Sequence, residues 1–200
     1  ATFFMLGQNV GSWESEVQRM ADIGCEIGSH SWDHPNLYDL DMDAVAKEFS
    51  DTDAALEKAC GQKASVARAP YGNWSDDIIA TVQKPFFTWS LDSLDWSYKD
   101  VDKDYNEIMN GDLTDGSIIL MHDIHEPSVQ AAIKMIPELV AKGYKLMTVS
   151  ELAAAKGVTL QNANYSDFWD SSLQKGIVAG YNSGSSDGSS DGTAVSDGTT

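Results

Sequence analysis

All four histidines of the chain fall in two short runs, His30 and His34 in Gly28-Ser-His-Ser-Trp-Asp-His34, and His122 and His125 in Leu120-Met-His-Asp-Ile-His125. Imidazoles at the spacing of His30 and His34 can share one metal ion, and nitrogen donors favour zinc or a similar divalent cation. Taken alone, two loop histidines are as readily plain polar side chains. They do not form the helical metalloprotease motif, because Ser31 stands where that motif needs a Glu base. His122 follows an apolar run and is expected at a strand end. A histidine's reference pKa of about 6.5 suits a general acid, given a carboxylate neighbour such as Asp95. His125 is assigned to the surface.

Two further polar segments complete the set of reactive candidates. Arg68-Ala-Pro-Tyr71 joins a permanent cation to a turn fixed by proline, which can aim backbone N–H groups at a developing oxyanion. An arginine paired with any nearby carboxylate is the plainer alternative. Asp95-Trp96 offers a carboxylate beside an aromatic wall. Trp74, Trp89 and Trp96 all lie near expected strand ends, where indole faces can stack on sugar rings.

The elements that must position these residues alternate short apolar runs with amphipathic stretches, the pattern of an α/β domain with a largely parallel sheet. Strands are expected over 2–6, 25–28, 64–67, 86–91, 117–121 and 145–149. Helices are expected from a cap at Ser12 to Gly24, from Asp41 or Asp43 to Cys60 with Gly61 as the stop, after Ser75, after Pro127, and after Ser150. In the helix after Pro127, the residues Val129, Ala132, Ile133, Ile136, Leu139 and Val140 form the expected core face, and Pro137 should kink it. Cys25 and Cys60 read as small core hydrophobes rather than a disulfide. The His30 and His122 runs both then emerge at C-terminal strand ends, where α/β folds bind their ligands.

With 200 residues, 42% of them apolar, and six Trp, seven Tyr and six Phe, the chain can bury a full core. A formal net charge of -18 argues against nucleic acid and anionic membrane surfaces as partners. No apolar run approaches the roughly 18 residues of a membrane span. From about Asn182 the composition turns to Ser, Gly and Asp, which lacks the apolar residues to offset chain entropy. The expected organisation is a domain over 1–181 and a linker over 182–200, with a further module beyond it.

Ala1-Thr-Phe-Phe-Met-Leu-Gly, Gly28-Ser-His-Ser-Trp-Asp-His34, Arg68-Ala-Pro-Tyr71, Trp89-Ser-Leu-Asp92-Ser-Leu-Asp95-Trp96 and Leu120-Met-His122 resemble, in order, the motifs of the polysaccharide deacetylases. These are the NodB-homology carbohydrate esterases of family 4, and the resemblance covers residues 1 to about 155. It implies an α/β fold, a distorted incomplete (β/α) barrel of the NodB-homology type, lacking its first strand. It also implies roles. His30 and His34 would hold the metal, zinc or cobalt. Arg68 would orient the catalytic base, and Asp95 would tune His122 as the acid. The Tyr71 backbone N–H would hold the oxyanion, while Trp96 and Leu120 would flank the acetyl methyl group.

One departure stands out. The family's Thr-Phe-Asp-Asp-Gly motif, which carries its base and third metal ligand, should precede the Ala-Thr-Phe-Phe strand and is not in the sequence. The chain therefore reads as N-terminally truncated, weakly active or inactive by itself, and open to association along the 2–6 edge. The expected activity is metal-dependent deacetylation of an acetylated polysaccharide by a secreted protein. The acidic surface favours O-acetyl xylan over N-acetylated chitin or peptidoglycan, and a non-catalytic carbohydrate-binding relative is the competing class.

Overall fold

Strand β1 (Thr2–Met5) lies parallel to β2 (Glu26–Ser29), with Phe3 opposite Ile27 and Met5 opposite Ser29. The next strand position is the bridge residue Ala67, which is parallel to Ser29 on one side and to Phe86 on the other. β3 (Phe86–Phe87) pairs in parallel with β6 (Asn164–Tyr165), and β4 (Leu91–Asp92) with β5 (Ile119–Leu120). These pairings come from a computed structural model that describes residues 1–168. The expected linker over 182–200, and residues 169–181 of the domain expected over 1–181, lie outside the described residues.

The helices lie between the strands in sequence: α1 (Gly7–Val10), α2 (Glu14–Asp22), α3 (Met42–Cys60), α4 (Asp76–Val82), α5 (Asp95–Tyr98), α6 (Val101–Met109), α7 (Glu126–Ala141) and α8 (Val149–Ala155). Local chemistry sets several boundaries. Asp41 caps α3 by accepting from the Ala44 N–H at 2.8 Å, and Gly61 ends it in a left-handed conformation that glycine adopts without cost. Ser75 caps α4. α2 begins at Glu14 behind an uncapped Trp13 rather than at Ser12.

Strand alternation sorts the core into two sides. Phe86 joins Val45, Phe49 and Ile79 beneath α3 and α4, whereas Phe87 joins Val66, Ile118, Tyr165 and Phe168 in the inner cluster. Val66 and Ala67 divide in the same way. The same alternation puts Ile118 inside and Ile119 against the α6–α7 layer. Among the described residues the parallel pairs form an open arc around the inner cluster, not a closed barrel.

Three expectations fail for identifiable reasons. The strand expected over 86–91 splits because the N–H groups of Ser90 and Leu91 both bond to Ile118 O, at 3.0 and 3.1 Å. Two residues facing one is a β-bulge, and it resets which side chains face inward. No strand forms over 145–149: Val149 already begins α8, its N–H bonding to Thr2 Oγ1 and that of Ser150 to Glu26 Oε2. The following helix is capped by Thr148, in a reciprocal capping box with Glu151, not by Ser150. Third, α7 runs through Pro137 and buries Ser128, Ala131, Met135 and Leu139. Val129, Ile133, Ile136 and Val140, expected in the core, are exposed. The cysteines are unpaired and half-buried.

Candidate active site

The inward alternation carries through to the strand ends. A side chain at Gly28 would point at Phe4 and Val66 of the inner side, and His30, two residues on, shares that face. His30 Nδ1 lies 2.8 Å from Arg68 O. A carbonyl only accepts, so Nδ1 carries the hydrogen and Nε2 keeps a free lone pair. Burial pushes His30 down to about 3, against the opposing effect of the Arg68 carbonyl. Burial also lowers His34, helped by the charge of His122. Both imidazoles are therefore neutral donors near pH 7. Their ring centroids are 4.8 Å apart, and the Tyr71 ring lies 4.6 Å from His34 on the other side.

The loop between the two histidines is held at every residue. Gly7 N–H donates to Ser31 O and Gln8 N–H to Trp32 O, both at 3.0 Å. Trp32 N–H reaches Glu48 Oε2 at 2.7 Å, and His34 N–H reaches Ser31 Oγ at 3.1 Å. Ser31 and His34 have positive φ, 66° and 68°, as do Tyr71 at 59° and Leu94 at 54°. Non-glycine residues there store about 1–3 kcal/mol each, and such strain concentrates where a site requires a particular geometry.

Arg68 continues the inner face begun by Val66. Its guanidinium donates to Phe87 O at 2.9 Å and Thr88 O at 3.2 Å, and lies 4.3 Å from the Phe4 ring centroid and 5.8 Å from that of Trp89. Burial lowers Arg68 to about 10, which leaves it charged at neutral pH. Among the described residues the side-chain partners of Arg68 are carbonyls and aromatic faces, and the plainer expectation of a carboxylate partner is not met. Tyr71 is exposed in the turn after Pro70, and its hydroxyl reaches His34 O at 3.4 Å. Trp96 is half exposed on α5, whereas Leu120 is buried at the end of β5.

His122 follows Leu120 and Met121 off β5 and meets Asp95 twice. Its backbone N–H donates to Asp95 Oδ2 and its ring Nδ1 to Oδ1, each at 2.7 Å. A carboxylate acceptor fixes the hydrogen on Nδ1 and leaves Nε2 for other work. Burial alone would push the fully enclosed Asp95 carboxyl up. The His122 side chain and N–H, the Ser128 hydroxyl and the His122 charge outweigh it and hold Asp95 below the ordinary aspartate range. Ser128 Oγ faces that carboxylate without closing a hydrogen bond of good geometry. The charge of His122 contributes to lowering both His30 and His34. His125 is instead the N-cap position of α7.

Two neutral imidazoles suit a borderline divalent cation such as those that bind nitrogen donors. They fill half of a four-coordinate shell. Among the described residues no group of three His, Cys, Asp or Glu side chains converges to fill more of it. Sequence reasoning paired Asp95 with His122, as the structure does, but missed Glu48, which accepts from the loop between His30 and His34, and Ser128, which faces the Asp95 carboxylate. A Glu on the polar side of an amphipathic helix carries no signal of the loop it serves.

Residues 1–87 match the family model described as polysaccharide deacetylase. The chain is 36% identical over 156 residues to the peptidoglycan-N-acetylmuramic acid deacetylase PdaC of Bacillus subtilis, covering 78% of this chain and 33% of that protein. It is 34% identical to the chitooligosaccharide deacetylase of Azorhizobium caulinodans, covering 73% of this chain and 78% of that one. The chain thus spans about a third of the length of the peptidoglycan deacetylase, and most of the chitooligosaccharide one. Among solved structures, the family 4 acetyl xylan esterase of Clostridium thermocellum in complex with a cobalt ion superposes with a TM-score of 0.78 at 31% identity, over 84% of each chain. The open parallel arc is accordingly an incomplete (β/α) barrel of the NodB type. From this agreement in sequence and fold, the chain belongs to the polysaccharide deacetylases, carbohydrate esterase family 4.

Proposed function

We propose that this chain is the catalytic domain of a secreted, modular, metal-dependent esterase that removes O-acetyl groups from xylan. The observation that supports the reading is the double Asp95–His122 contact at one strand end, together with the His30–His34 ring pair at another. His30 and His34 would hold a divalent ion, zinc or cobalt, which when bound would supply Lewis acidity toward the acetyl carbonyl. Water is the nucleophile, and the base that would take its proton is the first Asp of the family's Thr-Phe-Asp-Asp-Gly motif, which this sequence does not contain, so the groups on this chain act on the oxyanion, the acetyl methyl and the leaving oxygen. The Tyr71 backbone N–H donates to the developing oxyanion, and Trp96 and Leu120 flank the acetyl methyl group. His122 delivers a proton from Nε2 to the departing sugar oxygen, while Asp95 stabilises the imidazolium and holds its ring in place. Arg68 ties the ends of neighbouring strands together through its carbonyl contacts, and its own carbonyl orients His30.

The net charge of -18 favours xylan over anionic wall polymers, since like charges repel at ranges set by salt. Acetate release is measured for the full-length protein with zinc or cobalt, on acetylated xylan and on N-acetylglucosamine oligomers. Xylan is expected to be the better substrate. Release from the N-acetylated oligomers alone moves the assignment to chitin or peptidoglycan. Release from neither supports a second reading, a sugar-binding relative, which is favoured by the exposed Tyr71 ring against His34 and by the exposed Trp96.

A further inference from the structure

The peptide N–H groups of Trp32 and Asp33, midway between the two histidines, both point at one oxygen. Glu48 Oε2 accepts from Trp32 at 2.7 Å and from Asp33 at 3.3 Å. Consecutive N–H groups converging on a carboxylate form a concave anion site, and hydrogen bonds to a charged acceptor are among the stronger ones. Glu48 lies within α3, the longest helix, whose neighbouring Phe49 is buried in the core. The carboxylate is thus anchored to a rigid element, whereas the loop it grips has positive φ at both Ser31 and His34. Such backbone relaxes unless its surroundings hold it.

We propose that Glu48 is a positioning residue for the metal site: from α3 it clamps the middle of the 30–34 loop and so sets His34 against His30. This rests on the assignment of those histidines as metal ligands. The clamp needs a side chain of glutamate's length with an oxygen acceptor at its tip. Glutamine keeps the length and one carbonyl oxygen, and methionine keeps the length without the acceptor.

The test compares the 200-residue chain with its Glu48→Gln and Glu48→Met variants, titrating each with cobalt(II) and recording the visible spectrum of the bound ion. Glu48→Met is expected to weaken cobalt binding by about tenfold or more, the usual loss when a supporting contact is removed. Its spectrum should change too, and Glu48→Gln should recover most of the affinity. Wild-type affinity and spectrum in Glu48→Met would overturn the proposal. If two imidazoles without the family's third ligand do not hold cobalt in this chain, the titration gives no readout. The clamp is then judged by amide exchange at Trp32 and Asp33 and by the His30–His34 ring contact in NMR. Faster exchange and loss of that contact in Glu48→Met support it, and no change in either overturns it. Should Glu48→Met not fold, Glu48→Ala replaces it under the same criteria, and loss of folding by both overturns the proposal in favour of a purely structural role.

Discussion

Asp95 holds His122 at two points, the backbone N–H on Oδ2 and the ring Nδ1 on Oδ1, both at 2.7 Å. One rigid carboxylate therefore fixes where the β5 end lies and how its imidazole is turned. Asp95 is itself set by a left-handed Leu94, whose N–H bonds to Asp92 Oδ1 at 2.8 Å. His122 and its carboxylate partner come from two neighbouring strand ends, so the register of β4 on β5 aligns them.

Asp95→Asn separates charge from shape. An amide can present its NH2 group to Nδ1, which favours the wrong tautomer and removes the charge that stabilises the imidazolium. In the metal-loaded, full-length protein, kcat for acetate release is expected to fall by about 10²- to 10⁴-fold, the range for loss of general acid–base catalysis. KM should change little. A variant within a factor of two of wild type in kcat would show that His122 does not work through Asp95.

Asp104 gives stability a pH dependence of the opposite sign to that of Asp95. It sits on the buried side of α6, fully enclosed, with neither carboxyl oxygen hydrogen-bonded. Burial raises its pKa, and the charges of Asp95 and Asp100 add to that, against the backbone N–H groups near the helix start. A raised carboxyl contributes no penalty below its unfolded value of about 3.9. Stability is then lost as pH rises from there through the folded value, because the unfolded chain releases the proton first. Asp104→Asn should therefore gain on wild type progressively above about pH 4. Urea unfolding from pH 3.5 to 8 checks this, and a pH-independent difference would contradict it. Asp95, with its lowered pKa, stabilises at neutral pH and loses that contribution as pH falls through its folded value.

The sequence carried the site better than the layers around it. The pairings of His30 with His34 and of Asp95 with His122 were legible because strand-end motifs combine polar side chains with local turn signals. Asp41, Gly61 and Ser75 were legible as helix boundaries because capping is local. The bulge at Ser90 and Leu91 was not, since it depends on which carbonyl a distant strand offers. Nor was the start of α8 at Val149, where the N–H groups of Val149 and Ser150 bond to Thr2 and Glu26, far away in sequence. Periodicity alone ranked the apolar surface of α7 by residue type, but the buried line runs through Ser128, Ala131, Met135 and Leu139, and α6 packs against Met135 and Leu139.

That displaced face yields a direct test. Ile133 and Val140 are 60% and 57% exposed although they lie on the stripe that periodicity assigns to the core. Ile133→Lys and Val140→Lys in this 200-residue chain should change stability by no more than about 0.5 kcal/mol, as for surface sites. A core position would lose several times that. Unfolding midpoints at low protein concentration distinguish the two, and a loss above about 2 kcal/mol would place these residues in a packed interface.

Gly28 links the core to the site through close approach. A Cβ there would lie 2.6 and 2.8 Å from Phe4 ring carbons and 3.2 Å from Val66 Cγ2. The Phe4 ring in turn lies under the Arg68 guanidinium. Gly28→Ala must move Phe4 or bend β2, and overpacking of this kind costs about 1–3 kcal/mol. Phe4→Leu removes the ring carbons responsible, so the double variant should be less destabilised than the sum of the two single ones, by more than about 0.5 kcal/mol. Urea midpoints with an unchanged slope give all three values. Additive effects would mean that the alanine is accommodated by the backbone of β2. The displacement would then fall on His30, two residues along the strand, and not on the aromatic layer beneath Arg68.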